Sequence, residues 1–377
     1  MTLELILIGF GNVARRFVTL LDERRHRLAG DHGLEISIVG ITTRRHGHAF
    51  AARGLDAAAL ADRVARGESL LSSRQSSDRT VVSTVEFIRD AIDRCCAAAT
   101  ERRLIVVETT TLNIAAGEPA IAHVRAALSG GAHVVTANKG PAAFAYHPLS
   151  RLADRANRRF LFEGAVMDGI PVFNLARETL PGIEVVGFRG VINTTTNYML
   201  NAMEQGQAFG EALTEMQAMG VAEADASLDV DGWDAAAKTA ALANVLMDAS
   251  ITPQRVERHG ITPDLMTRAI AARRAGRRLK LVARAGYERS RIAARVGPEE
   301  LPGDDLLATL DGQQNGLILH TDLLGEIGIV QRGSGLTQTA YALLSDVVTI
   351  ARDLTRDRAT ACATRPPRPR APRGRTR

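Results

Sequence analysis

Cysteine is scarce in this chain of 377 residues: Cys95, Cys96 and Cys362 are the whole complement. Adjacent cysteines rarely bridge each other, and an odd total fits a reducing compartment, so a disulfide scaffold is excluded. Long apolar runs are missing too. The longest candidate, Thr239–Met247, stops at Asp248, well short of the roughly 18 residues that span a bilayer. The chain also lacks an opening basic stretch followed by an apolar run and a cleavage site, because Met1–Phe10 leads straight into a glycine motif. The expectation is a cytoplasmic protein with no membrane partner. Zinc-ligand spacing, a Ser-His-Asp arrangement and internal repeats are likewise absent from the sequence.

What remains is ordinary for a large buried core. Apolar residues make up 45% and charged residues 24%, and the length suits two domains. The net charge of +5 sits at one end. Arg365–Arg377 carries six arginines and no acid, which leaves the rest of the chain at −1. Residues 356–377 are expected to form a disordered Pro/Arg tail, too poor in apolar groups to fold. Such a tail could meet nucleic acid or an acidic surface. A solvated tail is the simpler reading, so nucleic acid is not an expected partner.

Leu3–Ile8 reads as a buried parallel strand, Gly9–Ala14 as a glycine turn, and Val13, Phe17 and Leu21 mark the helix that follows. Ile36–Ile41 is a second strand. Strand, turn, helix and strand make the opening unit of a dinucleotide fold. Strands at Val81–Val82, Leu104–Val107 and His133–Thr136 continue it, giving an N-terminal Rossmann-type doubly wound parallel sheet over residues 1–145. From Pro148 the texture changes. Strands are expected at Phe160–Phe162, Ile183–Ile192, Leu279–Arg284, Arg291–Val296 and Gly316–Leu319. Helices are expected at Ala202–Met219 and Asp234–Met247. This is a mixed α+β domain over residues 146–330, followed by a segment over 331–355 with a final helix from Leu336 to about Ala351. The fold class is α/β.

Four patterns carry chemistry. Gly9-Phe10-Gly11-Asn12-Val13-Ala14 supplies the tight turn and close backbone approach that a pyrophosphate needs at a helix N-terminus. After Ile41, where an acid would bind a ribose 2′-hydroxyl, stand Arg44 and Arg45, which suit a 2′-phosphate and point to NADP(H) over NAD(H). A solvated basic loop is the alternative. Thr109, Thr110 and Thr111 end one strand, and Asn138-Lys139-Gly140 follows another, both at carboxyl ends where ligands sit. A strand-end cap and a solvated lysine are the bland readings. The densest polar stretch runs from Gly220 through Glu223, Asp225, Asp229, Asp231 and Asp234 to Lys238. Its register does not match a calcium loop. Asp234 and Lys238 lie four apart on a helix otherwise built of alanine and leucine, an arrangement that suits proton transfer.

Together these motifs resemble the homoserine dehydrogenase family over residues 1 to about 350. The segments that carry the resemblance are GFGNVA, ETTT, TANKGP, FEGAVMDGIPVF, INTTTNYML, GVAEADASLDVDGWDAAAK and RGSGLTQTA. The resemblance implies a nucleotide domain, a substrate and dimerisation domain, and a C-terminal segment returning to the first. It implies NAD(P)-dependent interconversion of L-homoserine and L-aspartate 4-semialdehyde, on the route to threonine and methionine. It also implies a homodimer or homotetramer, in a short form without a C-terminal regulatory module. Carried over by motif, Gly9 to Ala14, Thr109, Thr110 and Gly335 hold the cofactor, and Lys139 touches cofactor and substrate. Gly220, Glu223 and Asp229 bind substrate, Asp234 supports the site, and Lys238 moves the proton. Glu163 with the carbonyls of Val166, Asp168 and Ile170 would hold a monovalent cation, Na⁺ or K⁺. Thr194 stands where the family commonly has glycine, and Asp168 where it often has a small residue. A dehydrogenase of another small substrate and a non-catalytic NADP sensor are the rival readings.

Overall fold

The computed structural model describes residues 1–70, 83–98, 103–219, 225–333 and 335–363. The chain opens with β1 (Thr2–Ile8), α1 (Asn12–His32), β2 (Glu35–Thr43), β3 (Gly47–Phe50), α2 (Ala57–Ala65) and α3 (Thr84–Ala98). It continues through β4 (Leu104–Glu108), α4 (Ala120–Ser129), β5 (His133–Thr136), α5 (Lys139–Ala156) and β6 (Phe160–Leu161). These strands form one sheet in the order β3-β2-β1-β4-β5-β6. Every pairing is parallel except that of β2 with β3. The apolar run of β1 explains the layering, because successive side chains leave a strand on opposite faces. Leu3, Leu5 and Leu7 pack with Phe17 and Leu21 of α1, while Ile6 and Ile8 pack with Phe87, Ile88 and Ile92 of α3.

The second half adds α6 (Val172–Thr179), β7 (Val185–Val191), α7 (Thr194–Met203), α8 (Phe209–Ala218), α9 (Ser227–Val230), α10 (Trp233–Leu246) and β8 (Glu257–Arg258). After these come α11 (Leu265–Arg274), β9 (Arg277–Glu288), β10 (Arg291–Pro302), β11 (Asn315–Thr321), β12 (Gly325–Gln331) and α12 (Leu336–Ala363). The second sheet has the order β12-β11-β7-β9-β10-β8. It is antiparallel apart from the short pairing of β8 with β10. α12 then returns to the first sheet, where Ala340, Leu343, Leu344 and Val347 complete the core beside α1.

Several expectations need correction. The first sheet draws β6 from beyond residue 145, so a boundary there cuts the sheet. Pro148 suggested a break, yet it lies inside α5, and the non-helical backbone of Ala145 (φ −142°) accommodates it. The single helix expected over 202–219 is two, α7 and α8, parted near Gly206, whose φ is +95°. β3 and β12 were not foreseen. In β12, two glycines and an exposed edge hide the strand pattern. α12 runs on to Ala363, so residues 356–363, expected as tail, are helical. The remaining tail and the strand expected at Val81–Val82 lie outside the described residues. Among the described residues no helix is long and apolar enough to cross a membrane.

Candidate active site

Strand order reverses between β1 and β4, which opens a crevice at their carboxyl ends. Gly9 lies there with φ +85°, and a Cβ on it would stand 3.0 Å from the backbone of Thr109. Only glycine fits both the turn and that approach. The Thr109 N–H donates to the Ile8 carbonyl at 2.8 Å, and its hydroxyl to the Gly9 carbonyl at 3.2 Å, lacing the two strand ends together. Phe10 is buried beneath the turn. Gly11 caps α1 with no side-chain bond and with open space where a Cβ would be. Asn12 accepts from Arg15, and Val13 is half-buried. The free N–H groups of the first turn, uncapped and without a nearby acid, suit a pyrophosphate. Arg44 and Arg45 are exposed in the β2–β3 turn, and neither has a partner among the described residues.

Glu108, fully buried at the end of β4, ties the neighbouring loops together. It accepts the Thr110 N–H at 3.1 Å, the Thr110 hydroxyl and the Thr136 hydroxyl at 3.0 Å. Asn138 donates to the Thr110 carbonyl at 2.8 Å, and its Oδ1 caps α5 by accepting the Gly140 N–H at 2.8 Å. Lys139 is the first residue of that helix. Its Nζ lies 3.2 Å from Asp234 Oδ1.

Asp234 is the hub of the charged cluster. It sits in the first turn of α10, where a carboxylate is favoured by the helix dipole. The alanine-rich face of α10 packs on α5, and this brings Asp234 within reach of Lys139. One turn further on, Lys238 Nζ lies 2.9 Å from Asp234 Oδ2 and donates to the Ile192 carbonyl at 2.7 Å. Asn193, the N-cap of α7, donates its amide N–H to Asp229 Oδ1 at 2.7 Å and to Asp234 Oδ2 at 3.0 Å. The Thr195 hydroxyl adds a bond to Asp229 Oδ2 at 3.2 Å.

These neighbours set the charges. Burial alone would lift Asp234, but Lys238 and Lys139 outweigh it and hold the carboxyl well below its ordinary value. Burial would lower Lys238, yet the charges of Asp234 and Asp168 prevail and keep its ammonium protonated above the ordinary lysine range. Asp229 moves up, through burial and then through the Asp234 charge. The two carboxylates are pushed apart although one asparagine joins them, a division that suits distinct roles in one reaction.

The positions named for a cation form one tight turn. Glu163 is buried, and its Oε1 and Oε2 accept the N–H groups of Phe173 at 2.9 Å and Asn174 at 2.6 Å, capping α6. Its own N–H donates to Asp346 Oδ2 of α12 at 2.8 Å. Burial, reinforced by Asp346, lifts Glu163 to about 7, and burial lifts Asp346 to about 6. The buried Val166 and Ile170 flank Asp168, whose φ is +48° and whose Oδ1 accepts the Thr339 hydroxyl of α12 at 3.2 Å. The Ile170 carbonyl accepts the Val172 N–H at 2.9 Å. Gly335, with φ +151°, opens α12 beside Gln338.

Asn193, Thr195, Asp346 and Glu108 were not singled out from the sequence. For Asn193 a signal was present, since Asn-Thr-Thr-Thr after an apolar strand is a helix-capping pattern. Gly220 and Glu223 lie outside the described residues.

The comparisons with known proteins match this arrangement. Residues 9–163 match the family description "Homoserine dehydrogenase, NAD binding domain", and residues 171–348 match "Homoserine dehydrogenase". A Pseudomonas canavaninivorans protein named NAD(+)-dependent homoserine dehydrogenase is 38% identical over 94% of this chain and 97% of its own length. A homoserine dehydrogenase from Sulfurisphaera tokodaii is 33% identical over 93% and 99%. Among solved structures, a homoserine dehydrogenase from Thiobacillus denitrificans is 29% identical with a TM-score of 0.76, over 95% of this chain and 75% of the other. Two adjoining family matches and full-length relatives, on a dinucleotide sheet joined to a half-buried lysine–aspartate cluster, make this chain a member of the homoserine dehydrogenase family.

Proposed function

We propose that the protein catalyses the reversible NAD(P)H-dependent reduction of L-aspartate 4-semialdehyde to L-homoserine. The observation that carries the reading is the Lys139–Asp234–Lys238 array, which gathers two ammonium groups around one half-buried carboxylate. A nicotinamide cofactor held by the residues at the β1–β4 crevice would supply the hydride for reduction and accept it in oxidation. Lys238, held protonated by Asp234, donates the proton to the developing alkoxide and recovers it on oxidation. Lys139 steadies charge on that oxygen and touches both ligands. Asp229, with Glu223 and the backbone at Gly220, holds the amino-acid end. Gly9 to Val13, Thr109, Thr110 and Gly335 hold the cofactor. Support comes from the uncapped start of α1 and from a turn at Gly9 that no side chain would tolerate.

Arg44 and Arg45 favour NADP(H). Losing one charge-assisted phosphate contact costs about 1.5–3 kcal/mol, roughly ten- to a hundredfold in affinity. A relative named NAD(+)-dependent points the other way. kcat/KM with each cofactor, for wild type and Arg44→Ala, decides, and equal wild-type values defeat the preference. A monovalent cation fits the donor set at Glu163 and the carbonyls of Val166, Asp168 and Ile170. It would offset the charge of Glu163 and Asp346 and brace the turn that carries Asp168. We extend the reading to a homodimer or homotetramer, supported by the exposed apolar Val186, Tyr287, Leu323 and Leu324 of the second sheet and its turns. The central test is an absorbance assay with aspartate semialdehyde and NADPH or NADH. The absence of turnover with both cofactors defeats the reading.

A further inference from the structure

Asn315 opens β11 and is only 2% exposed. Its Nδ2 donates to the Thr194 hydroxyl at 3.0 Å, while its Oδ1 has no partner among the described residues. Directly opposite in the β11–β12 register stands Gln331, whose Oε1 is also buried and has no partner among the described residues. Facing residues of an antiparallel pair present their side chains on one face of the sheet, so the two amides are neighbours. Buried acceptors are rarely left without a use.

Their surroundings indicate the use. Thr194 is the first residue of α7. Its chain neighbours Asn193 and Thr195 bond Asp229 and Asp234, and the Ile192 carbonyl holds Lys238. The segment leading to Asn315 is fixed by the same helix. Asn197 donates to the carbonyls of Leu310, Gly312 and Gln314 at 3.3, 3.1 and 3.0 Å. Asn315 is therefore bonded to the helix whose preceding and second residues, Asn193 and Thr195, bond Asp229, and Gln331 faces it across the β11–β12 pair.

Building on the homoserine reading, we propose that Asn315 and Gln331, with Thr194 orienting Asn315, form a specificity wall that accepts the α-ammonium of the amino-acid substrate. Unpaired acceptors call for a ligand that carries hydrogen-bond donors, which excludes the substrate carboxylate. Neutral amides add acceptors for a cation without adding another buried charge to the one at Asp229.

The test compares aspartate semialdehyde with 4-oxobutanoate, the same aldehyde without the amino group, in wild type, Asn315→Leu, Asn315→Asp and Gln331→Met. Asn315→Leu should lower kcat/KM for the amino aldehyde about ten- to a hundredfold, mainly through KM, and leave the other aldehyde within about threefold. Asn315→Asp should keep the preference for the amino aldehyde, and Gln331→Met should show a smaller selective loss. NADPH affinity, read by fluorescence titration, should not change. If Asn315→Leu fails to fold, the other two variants decide on the same criteria. Equal losses on both aldehydes, or a loss of NADPH affinity instead, overturn the wall and leave the homoserine reading standing. A wild type inactive on aspartate semialdehyde overturns both.

Discussion

Two lysines of this chain are withdrawn from water, Lys280 fully and Lys238 for most of its side chain, in opposite company. Lys238 faces carboxylates, Asp234 at 2.9 Å with Asp168 adding its field, and is held protonated above the usual lysine range. Lys280, with no exposed surface, meets neutral acceptors: Asn197 Oδ1 at 2.9 Å, Asn201 Oδ1 at 2.7 Å and the Leu310 carbonyl. Burial, helped by Arg278, pushes Lys280 down to about 7. Burial has the same sign in both places, so the difference lies in the partner. A carboxylate keeps the ammonium of Lys238 protonated, as the proton-donor role proposed for it requires, whereas amides and carbonyls make Lys280 a fastener for α7 and the loop before β11.

The largest effect that would break this contrast is at Lys238. Lys238→Met should cut kcat by about 10²–10⁴-fold, the usual worth of a positioned acid or base, with NADPH affinity unchanged. Turnover within a few-fold of wild type would move the proton path to Lys139. Next comes Asp234→Asn, expected to lower kcat/KM about ten- to a hundredfold. Removing that negative charge lowers the Lys238 pKa, so the alkaline fall of aldehyde reduction should begin at lower pH. An alkaline limb that stays in place would show that Lys238 is not the titrating donor.

Smaller still is the kinetic effect of Lys280→Met, with kcat expected within about threefold of wild type. Its stability effect sharpens the comparison instead. The unfolded lysine titrates near 10.5 and the folded one near 7, so the unfolded chain binds more protons between those values. Stability from Lys280 therefore rises with pH across that window, on the order of 1 kcal/mol per pH unit, and the penalty is complete below it. Urea unfolding from pH 7 to pH 9, wild type against Lys280→Met, reads the slope. Lys238 contributes with the opposite sign. Its stabilisation is present below 10.5 and is lost as pH rises beyond the folded value. Identical slopes in wild type and Lys280→Met would end the contrast.

Much of this was legible in the residues. The apolar run Leu5–Ile8 of β1 announced a strand covered on both faces, and the four-residue spacing of Asp234 and Lys238 gave their contact directly. Local patterns carry such information, because both depend on neighbours along the chain. The links of long sequence separation did not show. Nothing near Asn193 says that its amide will span Asp229 and Asp234, and nothing near Asp346 says that it will meet Glu163. The helix expected from Ala202 took in the end of α7 and the turn before α8, because Gly206 was the one breaker in that stretch of the sequence. α12 was cut short because its apolar stripe thins out after Leu354 while its backbone stays helical.

The return of α12 also imposes an order on biosynthesis. Leu3, Leu5 and Leu7 leave the ribosome first, yet the side chains that seal their layer, Leu343, Leu344 and Val347, are translated more than 300 residues later. Until then the nascent nucleotide domain carries an unsealed apolar strip along the α1 side of its sheet, the kind of surface that chaperones bind and that drives aggregation. That part of the nucleotide domain is thus finished late, and its maturation waits for α12.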